Sequence, residues 1–86
     1  MARIPIKRPY KIPGTEEHHV FPGPYREASE KYNCVIYLMP KDHRGPDGIH
    51  RNRQFAEAVK ADYQERLEAA GWTREEFIET FGRSYL

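Results

Sequence analysis

One cysteine, Cys34, in a chain of 86 residues limits what can hold the fold of this protein together. A domain of this length buries a small core, and such domains are often stapled by disulfides or by a metal ion. A single thiol allows neither an internal disulfide nor a cysteine-based zinc ribbon, and it is typical of a reducing, intracellular setting. We therefore expect one domain in which histidines and carboxylates provide any staple.

Charge is almost balanced overall but is unevenly distributed along the chain. There are 14 lysines and arginines against 13 acidic residues, so the net charge of +1 does not by itself indicate a nucleic-acid-binding protein. Residues 1–11 hold four basic residues and no acidic one, whereas acidic residues gather between 57 and 79. All four histidines lie in the more basic half, where the local field favours phosphate groups.

Residues 1–14 are predicted to form an extended basic arm, because three prolines interrupt the segment and Pro13-Gly14 is a turn signal. The arm is either a surface tail or a segment that lies along DNA. No stretch has the pattern of a signal peptide, and the longest apolar run, residues 34–39, is too short to cross a bilayer. We expect a cytoplasmic protein that makes no membrane contact.

Residues 15–86 are predicted to form a single α+β domain. Short strands are expected at 15–21 and 34–39, with a loop containing a helical turn or two at 25–32 between them. Residues 40–50 hold two glycines and two prolines and are predicted to be a loop.

Two helices are predicted in the C-terminal half. The first spans 52–70, where apolar residues recur at intervals of three to four, with Asn52 as its N-cap and Gly71 as its stop. The second spans 73–82 and begins at Thr73, which matches a capping box with Glu76.

The four histidines, His18, His19, His43 and His50, all fall where a predicted element begins or ends, which is where a scaffold presents chemical groups. Neutral imidazole binds Zn²⁺ and related ions, and a site with three ligands keeps one position open for a phosphate oxygen or a water. A fourth imidazole can act as a general base, since its ordinary pKa lies near neutrality. The alternatives are ordinary solvent histidines, or a closed structural metal site that uses all four.

Three cations, Lys41, Arg44 and Arg51, flank the later histidines in the sequence. They could clamp phosphates, because a guanidinium offers two parallel hydrogen bonds to a phosphate. The alternative is that they are solvated loop charges.

Three segments together resemble the ββα-metal, or His-Me finger, motif of HNH nucleases: His18-His19-Val20-Phe21, Leu38-Met39-Pro40-Lys41-Asp42-His43 and Gly48-Ile49-His50-Arg51-Asn52. The doubled histidine and the Pro-Lys-x-His pattern are similar to DNase colicins, and the chain resembles small HNH proteins of phages and prophages more closely still. The likeness covers about residues 17–55 and, more loosely, Phe77 to Leu86. It implies a ββα-metal core at about 15–70 with a C-terminal helical extension at about 73–82.

The resemblance also implies a role for individual residues. His18, His43 and His50 would be the metal ligands, and His19 would be the base that activates water. Asn33 would hold the loop that carries the base. The implied cofactor is one divalent ion, for which Zn²⁺, Ni²⁺, Mg²⁺ and Mn²⁺ are all candidates.

Two departures from the family pattern create geometric expectations. In the colicin type the last two histidines stand four apart on one helix, whereas His43 and His50 stand seven apart around Gly45, Pro46 and Gly48, so a loop must bring them together. Successive residues of a strand also face opposite sides, so His18 and His19 can share a site only if the strand ends or bulges there.

The sequence therefore predicts a metal-dependent endonuclease that hydrolyses phosphodiester bonds in DNA. Binding would run mainly through phosphates and would be salt-sensitive. The protein would act as a monomer or a homodimer, with a phage protein as a possible partner. The alternative is a non-catalytic HNH-like metal-binding module that binds DNA or a protein.

Overall fold

Two antiparallel strands and four α-helices make up the architecture of the computed structural model, which describes residues 3–86. In chain order the elements are β1 (Glu16–His19), α1 (Arg26–Lys31), β2 (Val35–Leu38), α2 (Pro40–Arg44), α3 (Arg53–Ala69) and α4 (Arg74–Phe81), with a 3-10 turn at Gly23–Tyr25. The predicted α+β class is confirmed, and the order β1, β2, α3 is compatible with a ββα core.

The two strands are shorter than predicted but keep a regular register to their ends. His18 lies opposite Ile36 and His19 opposite Val35, so β1 has no bulge at the histidine pair. The next two residues, Val20 and Phe21, lie beyond β1 and are each only 1% exposed, although the Val20 N–H still donates to the Cys34 carbonyl at 2.9 Å. The predicted strand at 15–21 therefore ends early because its last two apolar side chains enter the core.

The core lies between the strand ends and the two C-terminal helices. Phe21 stacks on Phe81 of α4, with ring centroids 4.2 Å apart. The cluster of buried side chains comprises Val20, Phe21, Cys34, Tyr63, Leu67, Trp72, Phe77 and Phe81. Burial raises the pKa of the Cys34 thiol to about 12, so this side chain serves as a small apolar group.

Both predicted C-terminal helices and their caps are confirmed. The Asn52 side chain accepts a hydrogen bond from the backbone N–H of Phe55 at 3.0 Å, and this cap starts α3. Thr73 and Glu76 form the reciprocal capping box that starts α4. Gly71 follows the end of α3 with a φ of 104°, in the left-handed region where glycine is favoured.

The prediction of a loop over the whole of 40–50 is wrong in its first half, where α2 forms. Pro40 occupies the first helical turn, where a missing amide donor costs nothing. The loop that follows is packed tightly against α2: the backbone N–H of Ile49 donates to the Asp42 carbonyl at 2.8 Å. At Gly48 a Cβ would stand 2.9 Å from the His43 carbonyl carbon, so only glycine fits this approach.

The N-terminal arm lies against the domain over residues 3–8. The backbone N–H of Ile4 donates to the Ala70 carbonyl at 2.7 Å, and the Arg3 guanidinium lies 4.1 Å from the Trp72 ring centroid. Tyr10 and Ile12, further along, are 94% and 60% exposed. Met1 and Ala2, which belong to the predicted arm, fall outside the described residues. Among the helices of residues 3–86, none has the length and apolar character needed to cross a membrane.

Candidate metal centre and its cleft

Three imidazoles from three different segments converge at one end of the sheet. His18 comes from β1, His43 from α2 and His50 from the loop before α3, and one ring nitrogen of each lies within 4.8 Å of the others. The Nε2 atoms of His43 and His50 are 2.9 Å apart. The His18 ring meets the other two edge-on, at centroid distances of 5.3 and 4.9 Å. The folded loop thus bridges the seven-residue spacing between the later histidines.

The nitrogen spacing in this cluster fits a divalent ion. Two imidazole nitrogens bound to one tetrahedral ion at about 2.0–2.1 Å stand about 3.3 Å apart. The separation is 2.9 Å for one pair, slightly less than that value, and no more than 4.8 Å for the other pairs. Small side-chain movements would therefore bring three nitrogen ligands onto one ion and leave one position open.

A carboxylate behind the cluster orients one of these imidazoles. Glu16 Oε1 accepts a hydrogen bond from His43 Nδ1 at 2.9 Å, and Arg44 holds the other Glu16 oxygen at 2.8 Å. The hydrogen bond from His43, aided by the Arg44 charge, lowers the pKa of Glu16. In a metal site, a carboxylate that accepts from the outer nitrogen of a ligand histidine fixes its tautomer, which would leave His43 Nε2 to face the ion.

His18 is the most buried of the three imidazoles, at 6% exposed. Burial, together with the charges of His50 and His43, lowers the pKa of His18 to about 4. The ring is therefore neutral at physiological pH, which is the protonation state that a metal ligand requires.

His19 belongs to a second cluster, formed with two carboxylates. Its Nε2 lies 2.9 Å from Glu30 Oε2 and 3.6 Å from Glu17 Oε1. Arg8 of the arm binds both carboxylates, at 3.1 Å to Glu17 and 3.0 Å to Glu30. The hydrogen bond from Arg8, followed by that from His19, lowers the pKa of Glu30. The two carboxylates and the imidazole could also hold a cation, but Arg8 already binds an oxygen of each carboxylate.

The separation of His18 from His19 follows from strand geometry. Because β1 stays regular, Glu16 and His18 point to one side of the strand, while Glu17 and His19 point to the other. Both clusters nevertheless border one open cleft of about 320 Å³ at the end of the strand. All four histidines line it, together with Glu17, Arg26 and the Pro22-Gly23 turn.

The other predicted site residues lie outside this cleft. Asn33 has a φ of 61° and donates from Nδ2 to the Ile6 carbonyl at 3.0 Å, so it anchors the arm. Arg44 pairs with Glu16, and Lys41 and Arg51 are exposed on α2 and on the following loop. None of Lys41, Arg44 and Arg51 lines the cleft.

The segment beside His19 is held by Ser29 of α1, whereas Asn33 was expected to hold it. The sequence did not indicate this role of Ser29. Ser29 is fully buried, and its hydroxyl accepts from the backbone N–H of Phe21 and donates to the Cys34 carbonyl. It thereby ties the segment after His19 to the start of β2. A serine between Ala28 and Glu30 gives no sequence signal for this contact, which spans eight residues.

Glu16 is a further residue of this site, and strand alternation provides a sequence signal for it. Residues two apart on a strand share a face, so a carboxylate two positions before His18 is expected beside it.

Comparison of the chain with protein-family models, with curated proteins and with solved structures gave no match. Any function must therefore be argued from this geometry and from the sequence motif.

Proposed function

We propose that this protein is a metal-dependent endonuclease of the HNH type that hydrolyses phosphodiester bonds in DNA. One observation carries the proposal: three imidazoles converge on a possible metal position at a cleft that a fourth histidine also lines. Phosphodiester hydrolysis needs a Lewis acid and a neighbouring base. The three imidazoles offer a place for the Lewis acid, and the fourth histidine offers the base.

His18, His43 and His50 would hold the ion. A divalent ion bound there would polarise a phosphate oxygen and stabilise the charge that develops on the phosphorus centre and the leaving oxygen. Imidazole ligands favour Zn²⁺, Ni²⁺ and Cu²⁺ over Mg²⁺ and Mn²⁺, for which oxygen ligands are better suited. Zn²⁺ and Ni²⁺ are therefore the first ions to test.

His19 would act as the general base. Glu30 accepts the hydrogen from Nε2, which leaves Nδ1 to take a proton from water. The oxygen of that water would attack the phosphorus, the bond to the leaving oxygen would break, and the leaving oxygen would take a proton from solvent water. Arg8 keeps Glu30 ionised and in place, so the carboxylate in turn keeps the imidazole oriented.

Lys41, Arg44 and Arg51 would contact phosphates further along the strand rather than the phosphate in the cleft. They lie on α2 and on the loop that carries His50, next to the three-histidine cluster. Contacts of this kind carry little sequence information and weaken as salt concentration rises.

A second candidate function, a non-catalytic metal-binding module for DNA or a protein, is favoured by one contact. The Nε2 atom of His19 already lies close to two carboxylates. An imidazole that stays hydrogen-bonded to these carboxylates would stabilise the strand end instead of activating a water.

The deciding experiment is cleavage of supercoiled plasmid by the purified protein with EDTA, Mg²⁺, Mn²⁺, Ni²⁺ or Zn²⁺. We expect metal-dependent nicking that His19→Ala abolishes while metal content and folding persist. His43→Ala should lower metal content and thermal stability as well, because metal binding is coupled to folding. Tight metal binding with no cleavage under any ion would reject the nuclease and support the binding module.

A further inference from the structure

Within residues 3–86, Arg26 is the one arginine or lysine that lines the cleft bordered by the four histidines. It also lines an adjoining depression of about 410 Å³ beside Glu30 and Lys31. The two depressions share Glu17, His19 and Arg26. A DNA strand that ran from one depression to the other would therefore pass both Arg26 and His19.

The backbone of Arg26 is held in a fixed position relative to the histidines. It is the first residue of α1, directly after the 3-10 turn at Gly23–Tyr25. The fully buried Ser29, one turn later, bonds the Phe21 amide and the Cys34 carbonyl. These contacts tie α1 to the ends of both strands, and thus to the segment that carries His18 and His19.

Arg26 is also free to bind an anion. None of the ion pairs among residues 3–86 involves it, whereas Arg8 is bound to Glu17 and Glu30, and Arg44 is bound to Glu16. Because Arg8 occupies oxygens of both Glu17 and Glu30, those carboxylates oppose an incoming phosphate less than their number suggests. The cleft is therefore lined by one guanidinium that has no ion-pair partner among residues 3–86 and by four imidazoles.

We propose that Arg26 binds the phosphodiester whose phosphorus is attacked in this cleft. The guanidinium would donate two hydrogen bonds to non-bridging phosphate oxygens and would oppose the negative charge that grows on them during attack. This assignment rests on the proposed function, since the phosphodiester is that function's substrate. It adds a substrate-contacting residue that the motif does not contain.

The test compares Arg26→Ala and Arg26→Lys with Arg66→Ala, a matched loss of one charge on the exposed side of α3. Binding of dimethyl phosphate, a minimal phosphodiester, would be followed by NMR titration with and without Zn²⁺. We expect Arg26→Ala to weaken binding about tenfold, Arg26→Lys to retain part of it because a point charge remains, and Arg66→Ala to leave it unchanged. Plasmid cleavage by Arg26→Ala should fall about 10²-fold at unchanged metal content.

The outcomes separate this inference from the proposed nuclease. Wild-type cleavage combined with full activity and full phosphate binding in Arg26→Ala would reject the role of Arg26 and leave the nuclease standing. Phosphate binding that needs Arg26 in a protein that cleaves nothing would reject the nuclease and support the anion site. An equal loss of binding in Arg66→Ala would reject a specific contact, since it would show a general effect of charge.

Discussion

His43 lies between two partners that determine which of its nitrogens faces the metal position. Glu16 accepts from Nδ1 on one side, and His50 Nε2 stands 2.9 Å from His43 Nε2 on the other. With Nδ1 protonated, His43 Nε2 must accept a hydrogen from His50. An entering ion would take the place of that hydrogen, so His50 would have to carry its proton on Nδ1 for Nε2 to become a ligand.

Glu16→Ala should weaken Zn²⁺ binding by about 10- to 100-fold, the usual effect of losing a carboxylate behind a ligand histidine. The expected cause is loss of the fixed His43 tautomer, since the ligand nitrogens themselves remain. Competition with a chromophoric chelator would measure the affinity. Glu17→Ala is the matched control, because this neighbouring carboxylate belongs to the Arg8 cluster and should leave Zn²⁺ affinity unchanged. Equal effects of both substitutions would contradict the role given to Glu16.

Some of these contacts can be predicted from the sequence, and others cannot. Strand alternation already implies that His18 and His19 face opposite sides and that Glu16 accompanies His18. By contrast, Arg8 meets Glu30 across 22 residues of chain, and Asn33 meets Ile6 across 27. Contacts over such separations depend on how the elements pack, and no local pattern encodes them.

At the scale of elements, prediction succeeded where local chemistry determines the structure. The caps at Asn52 and Thr73 satisfy backbone donors within three residues, so the residue types alone indicate the helix starts. The helix α2 was missed because Pro40 and Gly45, read as breakers, in fact occupy its first position and its C-cap. Pro40 and Gly45 are compatible with a loop and also with a short helix. The contact of Ile49 with α2, which no local pattern indicates, favours the helix.

Gly48→Ala should disturb the metal centre without altering any ligand. The added Cβ would meet the His43 carbonyl carbon at 2.9 Å and the backbone nitrogens of Arg44 and Gly45 at 3.0 Å, so the loop must move away from α2. Because that loop carries His50, we expect at least tenfold weaker Zn²⁺ binding in the same chelator competition. Gly14→Ala is the control: its Cβ meets nothing within 4 Å, and its positive φ gives it a strain of its own. Unchanged affinity in Gly48→Ala would mean that the loop position does not determine the site.

At the scale of the whole molecule, the apolar core and the candidate metal centre lie in different parts of the fold. The eight-residue core joins the strand ends to α3 and α4. Outside it, the buried apolar side chains within residues 3–86 are Val35 and Ile49. The region of β1, α2 and the His50 loop is therefore held by few apolar contacts, and an ion that joins all three segments would add to its stability.

Zn²⁺ should accordingly raise the thermal stability of this protein through the three-histidine cluster. Free ion at 100 times its dissociation constant stabilises the folded state by about 2.7 kcal/mol, which corresponds to a rise in Tm of roughly 10–20 °C for a domain of this size. The cluster is ready to bind at neutral pH, because burial keeps His18 uncharged. Calorimetry of the metal-free and Zn²⁺-loaded protein would measure the shift. It should vanish in His43→Ala and persist in His19→Ala, whereas the reverse pattern would assign the ion to the Glu17–His19–Glu30 cluster and displace Arg8 from it.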